Sequence, residues 1–337
     1  MSREEIRAET PDDAGGYNNA HRAFLQAFLS KSIMSLPEIK PVLAAVLTAQ
    51  DPNRPVLEGD ITVPDVTSFI QTVNARITSL DYEIRSTRSQ TSKSTIYALI
   101  NSTSDPLTHL ATTFNIEEIG FIKRVLDHMF ETNNTRNREI IALKDLDANR
   151  IAKPARSNNR QSQINGDAEE GTQAEASLKG VTLTEGERVL QILVSQNFLE
   201  KSRAGYYTLA PRALMELRFY LKETYNEPAD PEDPDSEAVI RIRDCEACRE
   251  IVTVGLRCRN KECGIRFHDQ CANQWFRSQR ASEDKCPGCK REWGSDCFVG
   301  ERAATMAGRP GGSRASGGRI AVFEDGEEDE EDEDEEE

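Results

Sequence analysis

The sequence predicts an α+β multidomain chain: two helix-and-hairpin units in tandem, a small metal-stabilised domain, and a disordered acidic C-terminal tail. Three observations carry that expectation. Apolar residues recur at helical spacing through the first two thirds of the chain, broken by stretches with β-branched ends and polar middles. All eight cysteines fall between Cys245 and Cys297, around a single histidine. From Glu324 to the end there are thirteen acidic residues and no basic ones.

Composition sets the frame for these elements. A chain of 337 residues with 37% apolar content can hold two or three small domains. The net charge of −16 falls to −3 once the terminal run is set aside, so a nearly neutral body carries an acidic tail. Neither part suggests broad electrostatic capture of nucleic acid. The start, MSREEIRAET, has no apolar signal core, and the longest aliphatic stretch, PVLAAVLTA at 41–49, is far short of the roughly 20 residues a membrane span needs. A soluble intracellular protein is expected. Cysteines clustered beside a histidine read as metal ligation in a reducing compartment, not as a disulfide framework.

Residues 1–17 are expected to be disordered, and residues 18–104 form the first unit. From Asn18, Phe24, Leu25, Phe28 and Leu29 mark a helix. Ser35-Leu-Pro-Glu38 announces a second, since the serine can cap its end while Glu38 reaches back. Ile39, Val42, Leu43, Val46 and Leu47 form its stripe. A third begins near Pro64, with Val66, Phe69, Ile70, Val73 and Ile77 inward. Tyr82 to Asn101 reads as a hairpin. Three helices followed by a hairpin is the outline of a winged-helix domain.

The outline recurs over 105–225. Ile116 to Met129 carries a helical stripe, and Ile140 to Leu146 is expected to form a short second helix. Residues from about 150 to 179 contain almost no large apolar side chains and read as a disordered insertion. Thr184-Glu-Gly-Glu187 offers a capping box for a helix bearing Val189, Leu190, Ile192 and Leu193. Phe198 to Leu209 forms a hairpin around Arg203-Ala-Gly205, and Pro211 starts a last helix. Residues 226–241 read as an acidic, proline-rich linker, and 299–337 as a tail unable to build a core. Arg85, Arg88 and Lys93 make the first wing mildly basic, but the helix TEGERVLQILVSQN has two acids against one arginine. That is a poor phosphate-neutralising surface, so a protein-binding role is expected over DNA reading.

The cysteine series is Cys245, Cys248, Cys258, Cys263, His268, Cys271, Cys286 and Cys289, with two-residue gaps in CEAC, HDQC and CPGC. Thiolate and imidazole are preferred zinc ligands, and eight of them fill two closed tetrahedral sites with no position left for water. Such sites are structural. Neighbouring, nested and interleaved pairings all remain open on spacing alone. Cys297 is a ninth candidate without a partner.

The order and spacing resemble a RING-type domain, here spanning 242–298. A PHD finger shares the ligand order but carries an aromatic residue where this chain has Asp284. The RING resemblance implies interleaved sites. Cys245, Cys248, His268 and Cys271 would hold one Zn²⁺, and Cys258, Cys263, Cys286 and Cys289 the second. It also implies a docking face for a ubiquitin-conjugating enzyme. Trp275 follows the sixth ligand by four residues, Pro287 follows the seventh ligand, and Ala247 precedes the second. Lys290 stands at the cationic position that steadies conjugated ubiquitin. The structural alternative for Trp275 is an ordinary core aromatic.

Tandem winged helices ahead of this RING, with IYALIN after the first wing and GYYTLAPRALMELRFYL (205–221) closing the second, resemble one family. It is non-structural maintenance of chromosomes element one, the RING-bearing subunit of the SMC five–six complex. The resemblance covers about residues 18–298. It implies winged helices that bind a MAGE-type subunit within a complex that also holds a kleisin-type subunit. It further implies ubiquitin transfer in DNA repair, at chromatin in the nucleus. No residue of the chain would act as a covalent nucleophile, and DNA would be bound at most weakly. The competing readings are a non-catalytic zinc-stabilised interaction module and a sequence-specific winged-helix transcription factor.

Overall fold

Asn18 opens the first helix, α1 (Asn19–Lys31): its side-chain oxygen accepts from the amides of Ala20 and His21. In the computed structural model, which describes residues 16–92, 94–102, 113–153, 180–229, 238–278 and 284–305, this helix is followed by β1 (Ile33–Ser35). The capping box expected at Ser35 is formed, with the Glu38 carboxylate accepting the Ser35 amide at 2.7 Å at the start of α2 (Leu36–Gln50). Thr62 and Asp65 do the same for α3 (Val63–Ile77). β2 (Tyr82–Arg88) and β3 (Thr95–Asn101) pair antiparallel, with Ile84 opposite Leu99. The three-residue β1, too short for any sequence pattern to announce, completes a sheet of order β1-β3-β2. Phe24, Phe28, Met34, Ile39, Leu43, Val66 and Val73 fill the core beneath it. Asn74 of α3 ties helix to sheet, bonding both the amide and the carbonyl of Ile84.

In the second unit, α4 (Ile116–Asp127) runs on into a π-helical turn over 128–132. The short helix expected over Ile140–Leu146 is displaced. Ile141 to Leu143 are consecutive buried residues leading into β4 (Leu143–Lys144), and α5 starts only at Asp145 (Asp145–Ile151). The capping box of α6 (Leu183–Ser195) is likewise two residues earlier than expected, at Thr182 and Glu185. Gly186 then sits on Phe121, where an added Cβ would lie 3.4 Å from the ring. β5 (Leu199–Lys201) and β6 (Tyr206–Leu209) form the expected hairpin, turning through Gly205 at φ 78°. With β4 they make a sheet of order β4-β6-β5. The helix expected from Pro211 is broken at Leu217 into α7 (Pro211–Glu216) and α8 (Arg218–Tyr225).

The segment expected to be a linker is anchored at both ends: β7 (Asn226–Glu227) pairs with β8 (Val239–Ile240), and the Asn226 side-chain oxygen accepts from the amides of Arg241 and Ile242. Beyond it β9 (Gly255–Arg257) is the central strand between β10 (Arg266–Phe267) and β11 (Phe298–Val299). α9 (Asp269–Ser278) follows β10. The ordered body does not end at 298. Val299 pairs with Gly255, and α10 (Glu301–Thr305) is held by Arg302 on the Asp269 carboxylate at 2.7 Å. The disorder expected for the first residues, for about 150–179 and for the tail falls chiefly outside the described residues.

One apolar core runs from the second unit into the cysteine-rich domain. Phe121, Met129, Leu193, Leu221 and Tyr225 are contiguous with Ile242, Ile251, Phe267, Ala272 and Val299. The first unit joins through a smaller contact, where Met215 of α7 packs on Ala98 and Ile100 of β3. No helix among the described residues is long and apolar enough to cross a membrane.

Candidate metal centre

CEAC and CPGC fold into the same turn. The Cys245 amide donates to the Glu250 carbonyl and the Arg249 amide returns to the Cys245 carbonyl. Forty-one residues on, Cys286 bonds Arg291 and Lys290 returns to Cys286 with the same offsets. In both turns the residue after the second cysteine adopts left-handed backbone, Arg249 at φ 62° and Lys290 at φ 60°. Non-glycine residues seldom hold that conformation. Its recurrence means the cysteine geometry, not the local side chain, dictates the turn.

Between these turns the chain crosses from one cluster to the other. Cys258 leaves β9 and Cys263 follows the next turn; β10 then carries the chain to His268, and Cys271 lies in the first turn of α9. Two sets of four result: Cys245, Cys248, His268 and Cys271, and Cys258, Cys263, Cys286 and Cys289, with the ligand atoms of each set within 4.8 Å of one another. All eight sequence-predicted positions are thereby brought together, and they interleave. Cys258 and Cys289 sulfurs are 3.5 Å apart, and Cys263 and Cys286 3.6 Å. Four sulfurs around zinc at ~2.3 Å would be roughly 3.8 Å apart, close to this spacing. His268 turns Nδ1 toward Cys248 at 3.3 Å, while Nε2 lies 3.2 Å from the Ile251 carbonyl. A proton on Nε2 leaves Nδ1 free as a ligand, the arrangement by which an outer partner orients a metal-bound imidazole. The two clusters are compatible with two zinc ions.

Thiols this close cannot ionise independently. Hydrogen bonds from Cys248 and His268 hold Cys245 down at about 3, while its bond to Cys245 and burial push Cys248 up. In the second set a backbone bond from Arg291 lowers Cys289 to about 7, and burial raises Cys258 and Cys286. A divalent cation among four such groups removes the conflict, because it stabilises every thiolate at once. Cys297 belongs to neither set; it is half-buried, with its sulfur 3.8 Å from Asp296 Oδ1.

The four remaining sequence-predicted positions are distributed over both turns and α9. Ala247 and Lys290 are exposed and Pro287 is half-buried. Trp275 is half-buried against Phe267, ring centroids 5.5 Å apart, and its Nε1 is enclosed without a hydrogen-bond partner among the described residues. Phe276 and Trp293 complete this aromatic cluster.

Sequence reasoning missed the residues that fix the domain's position. Glu139, in the loop before β4, accepts from Arg266 Nε at 2.7 Å and from Arg257 at 3.2 Å, all three side chains almost fully enclosed. Burial works against the Glu139 charge, but the two guanidiniums outweigh it and hold the carboxyl below its usual range. From the first unit, Gln90 at the hairpin tip inserts into the 251–254 turn. Its oxygen accepts from the amides of Thr253 and Val254, and its amide group donates to the Ile251 carbonyl. Gln270 of α9 donates back to the Ser92 carbonyl. A cavity of about 300 Å³ remains beside this contact, lined by Arg88, Gln90, Cys248, His268, Cys271 and Gln274.

A cross-braced pair of cysteine–histidine clusters built onto a helix-and-hairpin body defines a RING-like protein, and residues 245–289 match the model of a RING-like domain. Residues 21–217 match the model described as "Nse1 non-SMC component of SMC5-6 complex". The chain belongs to the Nse1 family, as its motifs indicated. Similar proteins include the "Non-structural maintenance of chromosomes element 1 homolog" of Homo sapiens and of Bos taurus. Each is 26% identical over 281 residues, covering 83% of this chain and 85% of the relative. The homologue of Xenopus laevis is 24% identical over 276 residues, covering 82% and 83%. A chain in the solved structure of an "Nse1-Nse3-Nse4 complex" has the same fold. Its TM-score is 0.59 at 22% identity, covering 82% of this chain and 97% of that one.

Proposed function

We propose that this chain is a RING-type ubiquitin ligase subunit of an SMC five–six complex, acting in DNA repair at chromatin in the nucleus. The observation that carries this reading is the interleaved pair of clusters, which assigns one of the two matching turns to each set and ties α9 to the first through Cys271. Cys245, Cys248, His268 and Cys271 hold one zinc; Cys258, Cys263, Cys286 and Cys289 hold the other. Ala247, Trp275 and Pro287 form the face that meets a ubiquitin-conjugating enzyme, and Lys290 steadies the conjugated ubiquitin. Catalysis is positional: the chain orients a charged enzyme's thioester and supplies no nucleophile.

The two helix-and-hairpin units are winged helices serving protein contacts. The solved relative is assembled with Nse3 and Nse4, in keeping with MAGE-type and kleisin-type partner subunits here. Two features of the first wing support weak intrinsic DNA binding. Arg85 is paired with Glu83 at 2.9 Å, and the hairpin tip is committed to the cysteine-rich domain through Gln90. Titration of the full chain with duplex DNA should therefore give weak binding with a shallow salt slope. Tight binding lost steeply with salt would instead restore the transcription-factor reading.

A non-catalytic bracing role is the second reading, favoured by Trp275 packing inward on Phe267 and by the small Ala247. A reconstituted ubiquitination assay with the MAGE-type partner separates the two. Under the ligase reading Trp275→Ala and Pro287→Ala abolish transfer while zinc content stays at two, and a chelator abolishes both. Zinc loss or unfolding in Trp275→Ala, with unchanged transfer in Pro287→Ala, would leave only the brace.

A further inference from the structure

The seam between the second unit and the cysteine-rich domain holds a polar cavity of about 510 Å³ that opens to solvent, with Lys261, Arg136 and Glu262 exposed at its rim. Five cations line it, Arg136, Arg241, Arg243, Lys261 and Arg266, against three carboxylates, Glu131, Glu139 and Glu262. Arg266 is taken by Glu139, Arg136 by Glu262, and Arg241 by Glu227 outside the cavity. Lys261 and Arg243 are left against one carboxylate, Glu131, so the lining carries a surplus of one positive charge. Among the described residues exposed Lys261 bonds only the neutral Asn137 side chain, and half-buried Arg243 has no ion pair. Arg243 lies over Gly264, where an added Cβ would come 2.8 Å from its Nη1, and neighbouring Glu139 and Cys263 meet part of its charge. Lys261 receives no such relief. A partly desolvated site with surplus positive charge favours an anion.

The same chain supplies a matching one. Thirteen carboxylates stand between Glu324 and Glu337 without a counter-charge among them. The last described strand leaves from the cavity's own wall: the Gly300 amide donates to the carbonyl of Glu139, which lines it. Eighteen residues separate Thr305 from Glu324, enough to span up to roughly 60 Å when extended. A tethered segment meets its site at an effective concentration in the millimolar range, so a weak electrostatic contact suffices.

We propose that the acidic run Glu324–Glu337 docks in cis in this cationic cavity, and so competes there with any acidic segment of a partner. The test is zero-length carbodiimide crosslinking of the full, zinc-loaded chain, with the linked peptides read by mass spectrometry. The expected product joins Lys261 to carboxylates of 324–337, is independent of protein concentration, weakens with salt, and is lost in Arg241→Glu. A second measurement does not depend on that variant folding. A labelled peptide of the tail sequence should bind a chain whose thirteen tail acids are replaced by their amides about tenfold more tightly than the wild-type chain. Tail links spread over lysines such as Lys31 and Lys153, links from Lys261 to the acids of 230–237 instead, or equal peptide affinity in both chains would overturn the proposal.

Discussion

Glu139 faces two guanidiniums, all three side chains almost fully enclosed, and this sets what a single substitution there should do. Removing one member of a buried ion cluster leaves the others uncompensated, at a cost of about 3–5 kcal/mol. Glu139→Gln should lower the stability of the zinc-loaded chain by that order, read from urea unfolding, with two zinc ions retained. The pH dependence has a definite sign. Because the folded carboxyl lies below its unfolded value, its contribution is full above about 4.3 and is lost as pH falls through the folded pKa. The gap between wild type and variant should therefore close in acid; a gap that widens would contradict the assignment. Cys297→Ser should change neither zinc content nor unfolding, because Cys297 lies outside both clusters. Legibility at this scale followed chemistry. The eight cysteine and histidine positions announce themselves by type and spacing, whereas Glu139 is one glutamate among many. Its arginines lie 118 and 127 residues away, a distance no local pattern spans.

The hairpin of the first unit illustrates the same boundary one level up. Its β-branched and aromatic ends mark Tyr82–Arg88 and Thr95–Asn101 as strands, but its polar middle reads as a solvated wing. Folded, that middle is a connector: Gln90 satisfies two amides and a carbonyl of the 251–254 turn, and Gln270 reaches back to Ser92. Amides left enclosed without an acceptor cost about 1–3 kcal/mol, so Gln90→Ala should destabilise the chain by that order. Amide hydrogen exchange at Thr253 and Val254 should quicken while α3 stays protected; unchanged exchange at both would show the contact to be incidental. Helix starts were legible where one capping box was available, at Ser35, and ambiguous where two overlapped. Thr182/Glu185 and Thr184/Glu187 satisfy the same local rule, and the earlier pair is the one that caps α6. Residues 226–241 misled for a related reason: proline and acid content describe a linker well, but the paired ends are set by Asn226 recognising the backbone of 241–242.

At the scale of the molecule, the cysteine-rich domain is not a bead on a string, because its apolar residues close the core of the second unit. Structural zinc supplies much of the folding free energy of a small domain, and its ligands lose their geometry when it is withdrawn. Metal analysis should return two zinc ions per chain, and one would overturn the paired-site assignment. Chelation should then act well beyond residues 245–289. Ile242, Ile251, Phe267 and Val299 lie in one core with Phe121, Met129, Leu221 and Tyr225, so releasing the first set exposes the second to water. The first unit is differently placed: its core around Phe24, Phe28 and Val73 is separate, joined to the rest through Met215 and the hairpin tip. Hydrogen exchange across a chelator titration should show protection lost together in α9 and α4, while α3 keeps most of its own. Both tryptophans, Trp275 and Trp293, report from the cysteine-rich side, so their fluorescence should change in step with exchange in α4. Protection in α4 that survives complete zinc removal would mean that the second unit folds without its neighbour, and that the shared core is contact without cooperativity.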